Sequence, residues 1–275
     1  MKLGEINTLR IARETGIGLF LVDETGNEVL LPKRFAPEVF EIDQDLDVFV
    51  YNDSEGRLVC TTQEPDITLN SFALLRCRDA TDIGAFMEIG IMKDLFVPKK
   101  NQNDLIKPGE RHMIYMYEDT LTKRLVGTAR INALVKEASE DIMPDDEVDI
   151  LIWNERDMGW GVIVDNLYQG MVYKNQTFEP IAIGERRTAY VNRVREDGKL
   201  DILIQKPGAK NIDESSKAVI DALERNNRFL ALTDKSSPED ISTALNMSKK
   251  SFKKAIGTLY KQRIISLEKE GIKLL

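Results

Sequence analysis

The chain has 275 residues and a formal net charge of −8, and its 42% hydrophobic and 31% charged residues are typical of a globular protein. No apolar run approaches the roughly 18 residues that a membrane span needs, and the first residues lack the apolar core of a signal peptide, so we expect a cytoplasmic protein without membrane association. The sequence has no phosphate-binding glycine loop, nucleophile elbow or cluster of histidine and carboxylates. We therefore expect no enzyme activity, no catalytic residue, no metal and no cofactor.

A block of residues occurs three times along the chain. The first copy and its repeat 66 positions later are Gly18, Phe20, Pro32, Tyr51 and Asp53, then Gly84, Phe86, Pro98, Tyr117 and Asp119. A third copy, 75 positions beyond the second, repeats Gly84, Val97, Gly109, Glu110, Arg111 and Tyr115 as Gly159, Val172, Gly184, Glu185, Arg186 and Tyr190. This pattern predicts one module used three times, at 1–66, 67–143 and 144–210, followed by a separate domain at 211–275.

Each module is predicted to contain five short strands separated by turns. The predicted strands are 7–13, 18–22, 28–32, 47–51 and 58–62 in the first module, 72–77, 85–89, 93–98, 113–117 and 125–129 in the second, and 148–153, 160–164, 170–173, 188–191 and 200–203 in the third. Five strands suit a small closed barrel, because closure removes exposed edges from so small a sheet.

The last domain changes from strand periodicity to helical periodicity. The predicted elements are a linker at 206–210, a helix from about Asp213 to Leu230, a helix with Ser237 as N-cap and Pro238 in its first turn, a helix capped by Ser248, and a hairpin over 264–275. This order of elements resembles a winged helix.

The third helix of this domain is strongly polarised. One face carries Phe252, Ala255, Ile256, Leu259 and Tyr260, and the opposite face carries Lys249, Lys250, Lys253, Lys254 and Lys261. No acidic residue occurs from Ser248 to Arg263. A lysine stripe is often only a solvated face, but at the recognition-helix position of a winged helix we expect it to contact phosphates.

The charge is unevenly distributed among the four segments. Residues 1–66 carry 6 Lys and Arg against 14 Asp and Glu, a net charge of −8, whereas residues 211–275 carry 12 against 9, a net charge of +3. The second and third modules have 11 against 11 and 9 against 12. We therefore expect the first module to repel a polyanion and the later segments to tolerate one.

The second module resembles the S1-type RNA-binding domain, an OB-fold barrel. The resemblance rests on Asp82-Ile83-Gly84-Ala85-Phe86-Met87, on Leu95-Phe96-Val97-Pro98 and on Lys107-Pro108-Gly109-Glu110. It implies that an aromatic pair, a histidine, and an Asp and Arg on the last hairpin contact single-stranded RNA. Carried over, these contacts fall on Phe86, Asp119 and Arg124, with Ile83 at the second aromatic position and Pro98 near the histidine position.

The other two modules depart from this pattern. The first has Phe20, Asp53 and Arg57 at the matching positions but Ile17 at the second aromatic position. The third has Gly161 where Phe86 would fall and places Trp160 one position earlier. Its predicted hairpin pair is Asp197 and Lys199.

Single-stranded nucleic acid binds where aromatic faces stack on bases and basic side chains follow the backbone. Beyond the residues implied by the S1 resemblance, the predicted RNA contacts are Arg76, Tyr115, Trp160, Tyr190, Arg193, Lys249, Lys250, Lys253 and Lys254. We expect Trp160 to be exposed, because glycines flank it on both sides. The alternative for Phe20 and Phe86 is that they fill barrel cores.

Over its whole length the chain resembles the bacterial conserved virulence factor B family, including residues 1–9 and 248–257. The resemblance implies three S1-type OB-fold barrels, a C-terminal winged helix, and cytoplasmic RNA binding linked to gene regulation without catalysis. We expect a monomer that binds single-stranded RNA through a surface composed of the second and third modules and the basic helix. Two alternatives stay open: a winged-helix regulator that binds duplex DNA, and an adaptor whose acidic first domain docks a basic protein such as a ribosomal protein.

Overall fold

The computed structural model describes residues 1–139, 141–177, 180–205, 214–261 and 263–275. The predicted linker at 206–210 and the predicted start of the first helix lie outside these residues. The chain divides into two compact units, Met1–Ile202 and Leu203–Leu275. In the described part of the chain, no helix has the length and apolar character needed to cross a membrane. The module boundaries within the first unit stay predictions.

The first unit contains the three predicted five-stranded barrels, which confirms the predicted fold class. The first barrel comprises β1 (Ile6–Thr15), β2 (Gly18–Val22), β3 (Glu28–Pro32), β4 (Asp45–Asn52) and β5 (Leu58–Thr61). The second comprises β6 (Phe72–Ala80), β7 (Gly84–Met87), β8 (Leu95–Pro98), β9 (Arg111–Glu118) and β10 (Leu125–Thr128). The third comprises β11 (Glu147–Arg156), β12 (Gly159–Val164), β13 (Tyr168–Tyr173), β14 (Arg186–Val194) and β15 (Leu200–Leu203).

All three barrels share one strand order. In the first barrel it is β1-β2-β3-β5-β4, closed by pairing of β4 with β1, and the third barrel closes in the same way. In the second barrel β8 and β10 are the two ends of the sheet. These two strands lie side by side. A Cβ added to Gly127 of β10 would be only 2.7 Å from Val97 Cγ2 of β8.

The repeated glycine at the start of each second strand has a steric reason. A Cβ on Gly84 would lie 2.4 Å from the Val97 carbonyl oxygen, and one on Gly159 would lie 2.0 Å from that of Val172. Only glycine lets the paired strand approach this closely. The paired first strand also carries a bulge at equivalent positions in each barrel, for example between Cys77 and Asp79.

Neighbouring barrels pack through shared apolar clusters. Phe49 and Tyr51 of the first barrel are buried in the same cluster as Leu75 and Ile114 of the second. A second cluster joins the second and third barrels, and its buried members are Phe72, Met113, Ile131, Leu151 and Ile163. Burial of these side chains stabilises the side-by-side arrangement of barrels that would each be marginal alone.

The second unit is a small winged-helix fold. Its elements are α1 (Glu214–Arg225), β16 (Phe229–Leu230), α2 (Pro238–Leu245), α3 (Lys249–Lys261), β17 (Ile265–Leu267) and β18 (Ile272–Leu274), with sheet order β16-β18-β17. The predicted caps are present, since the Ser237 hydroxyl accepts from the Asp240 N–H at 3.1 Å and the Ser248 hydroxyl accepts from the Ser251 N–H at 3.1 Å.

Two details of the winged helix differ from the predictions. Phe229 and Leu230 were predicted at the end of the first helix but form β16, because they pair with Lys273 and Ile272 of β18. Tyr260 was predicted on the apolar face of α3 but is 54% exposed, whereas Phe252 and Leu259 are buried. The buried face of α3 is thus narrower than its sequence pattern suggests.

Candidate nucleic-acid interface

A groove of about 580 Å³ crosses the outer surface of the second barrel. The groove is lined by an aromatic pair. Phe86 of β7 and Phe96 of β8 are neighbours because they lie directly opposite in the strand register. The two ring centroids are 5.2 Å apart with the planes tilted by 41°. Both rings are partly exposed, so the core-filling alternative for Phe86 does not hold. Ile83, at the second aromatic position, is 68% exposed and also lines the groove.

The β9–β10 turn brings the predicted hairpin pair to the rim of this groove. The Asp119 N–H donates to the Arg124 carbonyl at 2.9 Å, which closes the turn. The Asp119 carboxylate accepts from the Thr122 N–H at 2.8 Å, and this hydrogen bond with its neighbours lowers the pKa of Asp119. Asp119 therefore fixes the turn that presents Arg124. Among the described residues Arg124 forms no ion pair, so its charge is available.

The first barrel supplies one wall of the groove. Lys93 Nζ donates to the carbonyls of Asn52 and Asp53 at 2.6 and 2.8 Å. Burial, together with the positive charge of Arg124, lowers the pKa of Lys93. A Cβ on Gly56 would lie 3.0 Å from Arg124 Nη2, so the guanidinium packs against the same turn. Lys93 and Arg124 thus hold the turn of the first barrel against the second.

The corresponding face of the first barrel is occupied by its own side chains. The Arg13 guanidinium lies 4.2 Å from the centroid of Phe20, the counterpart of Phe86, and forms a bidentate ion pair with Glu28. The hairpin arginine is also neutralised, since Arg57 pairs with Asp53 at 2.7 Å. The first barrel therefore offers neither an open aromatic face nor a free cation at these positions.

The third barrel has no aromatic ring at the position of Phe86, and the ring that β13 places on this face is that of Tyr173, opposite Gly159. Gly161 occupies the position of Phe86, and Trp160 projects to the other side of β12, because successive strand residues point to opposite faces. Trp160 is partly buried, with Lys174 Nζ 5.6 Å from its ring centroid, so it is less exposed than predicted.

The hairpin of the third barrel also differs from the prediction. The Arg195 N–H donates to the Lys199 carbonyl at 2.9 Å, so Arg195 takes the place that Asp53 and Asp119 hold. Asp197 lies inside the turn and pairs with both Arg195 and Lys199 at 3.2 Å. The predicted pair lies on this hairpin and forms an ion pair, but the residues that close the turn, Arg195 and Lys199, are four apart, as Asp53 and Arg57 are.

In the third barrel, a polar cluster takes the place of the aromatic pair found in the second. Asp201 is 5% exposed and accepts from the Tyr173 hydroxyl at 3.0 Å and from Arg193 at 2.7 Å. Burial and the Asp201 hydrogen bond raise the pKa of Tyr173. Arg193 is itself 67% exposed. The predicted contact Arg193 is thus oriented by a buried carboxylate at the edge of a shallow pocket.

The remaining predicted contacts of the first unit lie elsewhere. Tyr115 packs against Phe72, with ring centroids 4.7 Å apart and planes tilted by 48°, and contributes to the packing between the second and third barrels. Tyr190 donates its hydroxyl to Glu147 at 3.2 Å. Arg76 lines a different cavity, where the second and third barrels meet. None of the three lines the Phe86 groove.

The second unit presents a basic helix face. Lys250, Lys253 and Lys254 of α3 are exposed, and Lys249 is partly exposed. Lys249 Nζ lies 3.5 Å from the Lys235 carbonyl, and Lys253 is 3.9 Å from the exposed carboxylate of Asp234. An exposed ion pair at this distance contributes little to stability.

Two residues of the groove, Phe96 and Lys93, were not predicted as contacts. Phe96 provides the second aromatic ring, and Lys93 and Lys100 add positive charge to the lining. Phe96 could have been found from the pairing of β7 with β8, because Gly84 opposite Pro98 places Phe86 opposite Phe96. Lys93 carries no such signal, since its partners belong to the first barrel.

Comparison with known proteins agrees with these folds. A model of the S1 domain matches residues 3–63, and a model of the CvfB-like winged helix domain matches residues 217–274. The protein YitL of Bacillus subtilis is 29% identical over 271 residues, covering 95% of this chain and 90% of that protein. Conserved virulence factor B of Staphylococcus epidermidis is 25% identical over 281 residues, covering 99% and 94%.

A solved structure described as a multidomain protein with nucleic acid binding domains, from Streptococcus pneumoniae, has a TM-score of 0.43 and 24% identity, covering 99% of this chain and 98% of that one. The chain thus combines an S1 domain with a CvfB-like winged helix, and its resemblance to the conserved virulence factor B family is confirmed.

Proposed function

We propose that this protein is a non-catalytic RNA-binding regulator of gene expression, which binds single-stranded RNA through the second-barrel groove and through the basic face of α3. The observation that carries the proposal is the groove itself, in which the Phe86 and Phe96 rings lie beside Lys93, Lys100 and Arg124. Bases stack on aromatic faces while cations follow the backbone, and this combination is the usual chemistry of single-strand binding.

The groove favours single strands over duplexes for a geometric reason. Stacking on Phe86 and Phe96 requires an unpaired base whose face is exposed, and a duplex buries its base faces inside the stack. The lysines of α3 add contacts to phosphates, which do not depend on sequence. S1 and winged-helix domains are nucleic-acid-binding classes. The regulatory part of the proposal rests on the resemblance to the conserved virulence factor B family.

The first barrel provides a matched control for testing the groove. Phe86→Ala removes a stacking face, and we expect single-stranded RNA affinity to fall about 5- to 150-fold, corresponding to about 1–3 kcal/mol per stacked base. Phe20→Ala removes the equivalent ring, which Arg13 already covers, and should leave affinity within about twofold of wild type by the same reasoning. Fluorescence anisotropy with a labelled oligonucleotide measures both.

Circular dichroism and thermal melting establish that both variants are folded. Equal affinity of wild type and Phe86→Ala would remove the groove from the binding surface. A comparable loss in both variants would instead indicate that the change in affinity reflects altered barrel stability.

A further inference from the structure

Two arginines lie directly opposite each other on the second barrel. Arg76 of β6 and Arg111 of β9 are partners in the strand register, and both side chains are exposed. Among the residues that the structure describes, neither forms an ion pair. Like charges directly opposite on a sheet are destabilising, so this arrangement is unfavourable by itself.

The first barrel has a pair of opposite charges at the same place. The equivalent residues, 66 positions earlier, are Arg10 and Asp45, which also face each other in the register of β1 and β4. Their side chains are 3.6 Å apart. The second barrel thus has Arg111 where the first barrel has Asp45. Arg76 therefore lacks the anionic partner that Arg10 has.

The third barrel contributes another guanidinium to the same place. Arg186 of β14 is the repeat counterpart of Arg111, and its Nη2 donates to the carbonyl of Phe72 at 2.5 Å. Arg76, Arg111 and Arg186 all line a groove of about 450 Å³ where the second and third barrels meet. A hydrogen bond to the backbone of the neighbouring barrel therefore positions the third arginine beside the unneutralised pair.

Carboxylates are also present in this groove. Glu88 lines the groove, but its carboxylate pairs with Arg78 at 3.4 Å, and Arg78 is not one of the three arginines. Asp66 lines it as well. Three arginines against two carboxylates, one of which is already engaged, leave the groove with an excess of positive charge.

We propose that Arg76, Arg111 and Arg186 form a phosphate-binding site that takes a phosphodiester of the bound nucleic acid. The inference rests on the proposed function and adds a second contact region, separate from the groove of Phe86. Guanidinium groups match the geometry of phosphate oxygens and donate two parallel hydrogen bonds. The anion neutralises Arg76 and Arg111, as the Asp45 carboxylate neutralises Arg10 in the first barrel.

Arg111→Asp tests the site, because it recreates the charge pair of the first barrel. The contact to this phosphodiester is lost, so we expect the slope of log affinity against log salt concentration to become about 0.7 smaller in magnitude, the value for one phosphate on a single strand. The melting temperature should be unchanged or higher than that of wild type. A purely structural role for Arg111 would alter stability without altering the salt slope.

The matched control is Arg10→Asp, which makes the same change of net charge within the equivalent pair of the first barrel, at the counterpart of Arg76. We expect it to leave the salt slope unchanged. A wild-type slope in Arg111→Asp, while Phe86→Ala loses affinity, overturns the phosphate site and leaves the proposed function standing. An equal reduction of the salt slope in Arg111→Asp and in Arg10→Asp also overturns the phosphate site, since net charge alone would then explain the effect.

A second measurement separates this site from the proposed function. Inorganic pyrophosphate should raise the melting temperature of wild type and raise that of Arg111→Asp less. If wild type binds no RNA but shows this difference, the proposed function fails and the anion site stands. No difference between the two proteins, together with no RNA binding, contradicts both.

Discussion

Phe20 and Phe86 occupy the same position in consecutive barrels, yet their surroundings give them different chemistry. Arg13 covers the ring of Phe20 and is held there by Glu28. The matching position beside Phe86 is Asp79, which cannot cover an aromatic ring as a cation does. A single exchange of residue type at the neighbouring strand position thus separates a closed aromatic face from an open one.

Lys93 connects the first barrel to the groove of the second through hydrogen bonds to Asn52 and Asp53. Lys93→Met removes a charged donor from two carbonyls, so we expect the free energy of unfolding of the full chain to fall by about 1–2 kcal/mol. Lys99→Met removes an exposed lysine of the same barrel and should change it by less than about 0.5 kcal/mol. Urea denaturation measures both, and equal stability of the two variants would show that the Lys93 hydrogen bonds contribute nothing.

At the level of secondary-structure elements, α3 is the part of the winged helix suited to phosphates. Lys250→Glu combined with Lys254→Glu places two negative charges on its exposed face. We expect weaker RNA binding and a salt slope smaller in magnitude by about 1.4, at about 0.7 per lost contact. Lys217→Glu on α1 is the control within the same domain, and it should change binding little. Unchanged affinity in the double variant would exclude α3 from the binding surface.

Much of the fold could be predicted from the sequence because the same signals occur three times. The glycine of each second strand and the alternating strands that follow it are local features, and each copy supports the interpretation of the others. Short pairings between distant segments are harder to predict. Residues 229–230 became a strand only because β18, more than 40 residues later, provides their partners.

The candidate site was predictable only where it depends on one barrel. Phe86, Asp119 and Arg124, which the S1 resemblance implied, could be identified because they belong to a single module. Tyr115 and Lys93 could not be placed correctly, because one packs at the junction with the third barrel and the other binds carbonyls of the first. Contacts between modules leave no periodic trace in the sequence.

At the scale of the whole molecule, one barrel fold has acquired three different surfaces. The first barrel is acidic, covers its own aromatic ring and walls the groove of the second. The second has an open aromatic pair, and the third replaces it with a polar cluster around Asp201. Tandem barrels of one origin can therefore divide structural support and ligand contact among themselves, while the second unit carries its own basic helix.

Competition for a labelled single-stranded RNA tests the central claim most directly. At low salt, unlabelled single-stranded RNA should displace the labelled strand at a concentration at least about tenfold below that of a duplex of the same length, because only unpaired bases can stack in the groove. Displacement by the duplex at the same or a lower concentration, or no binding of the labelled strand at all, would contradict the account.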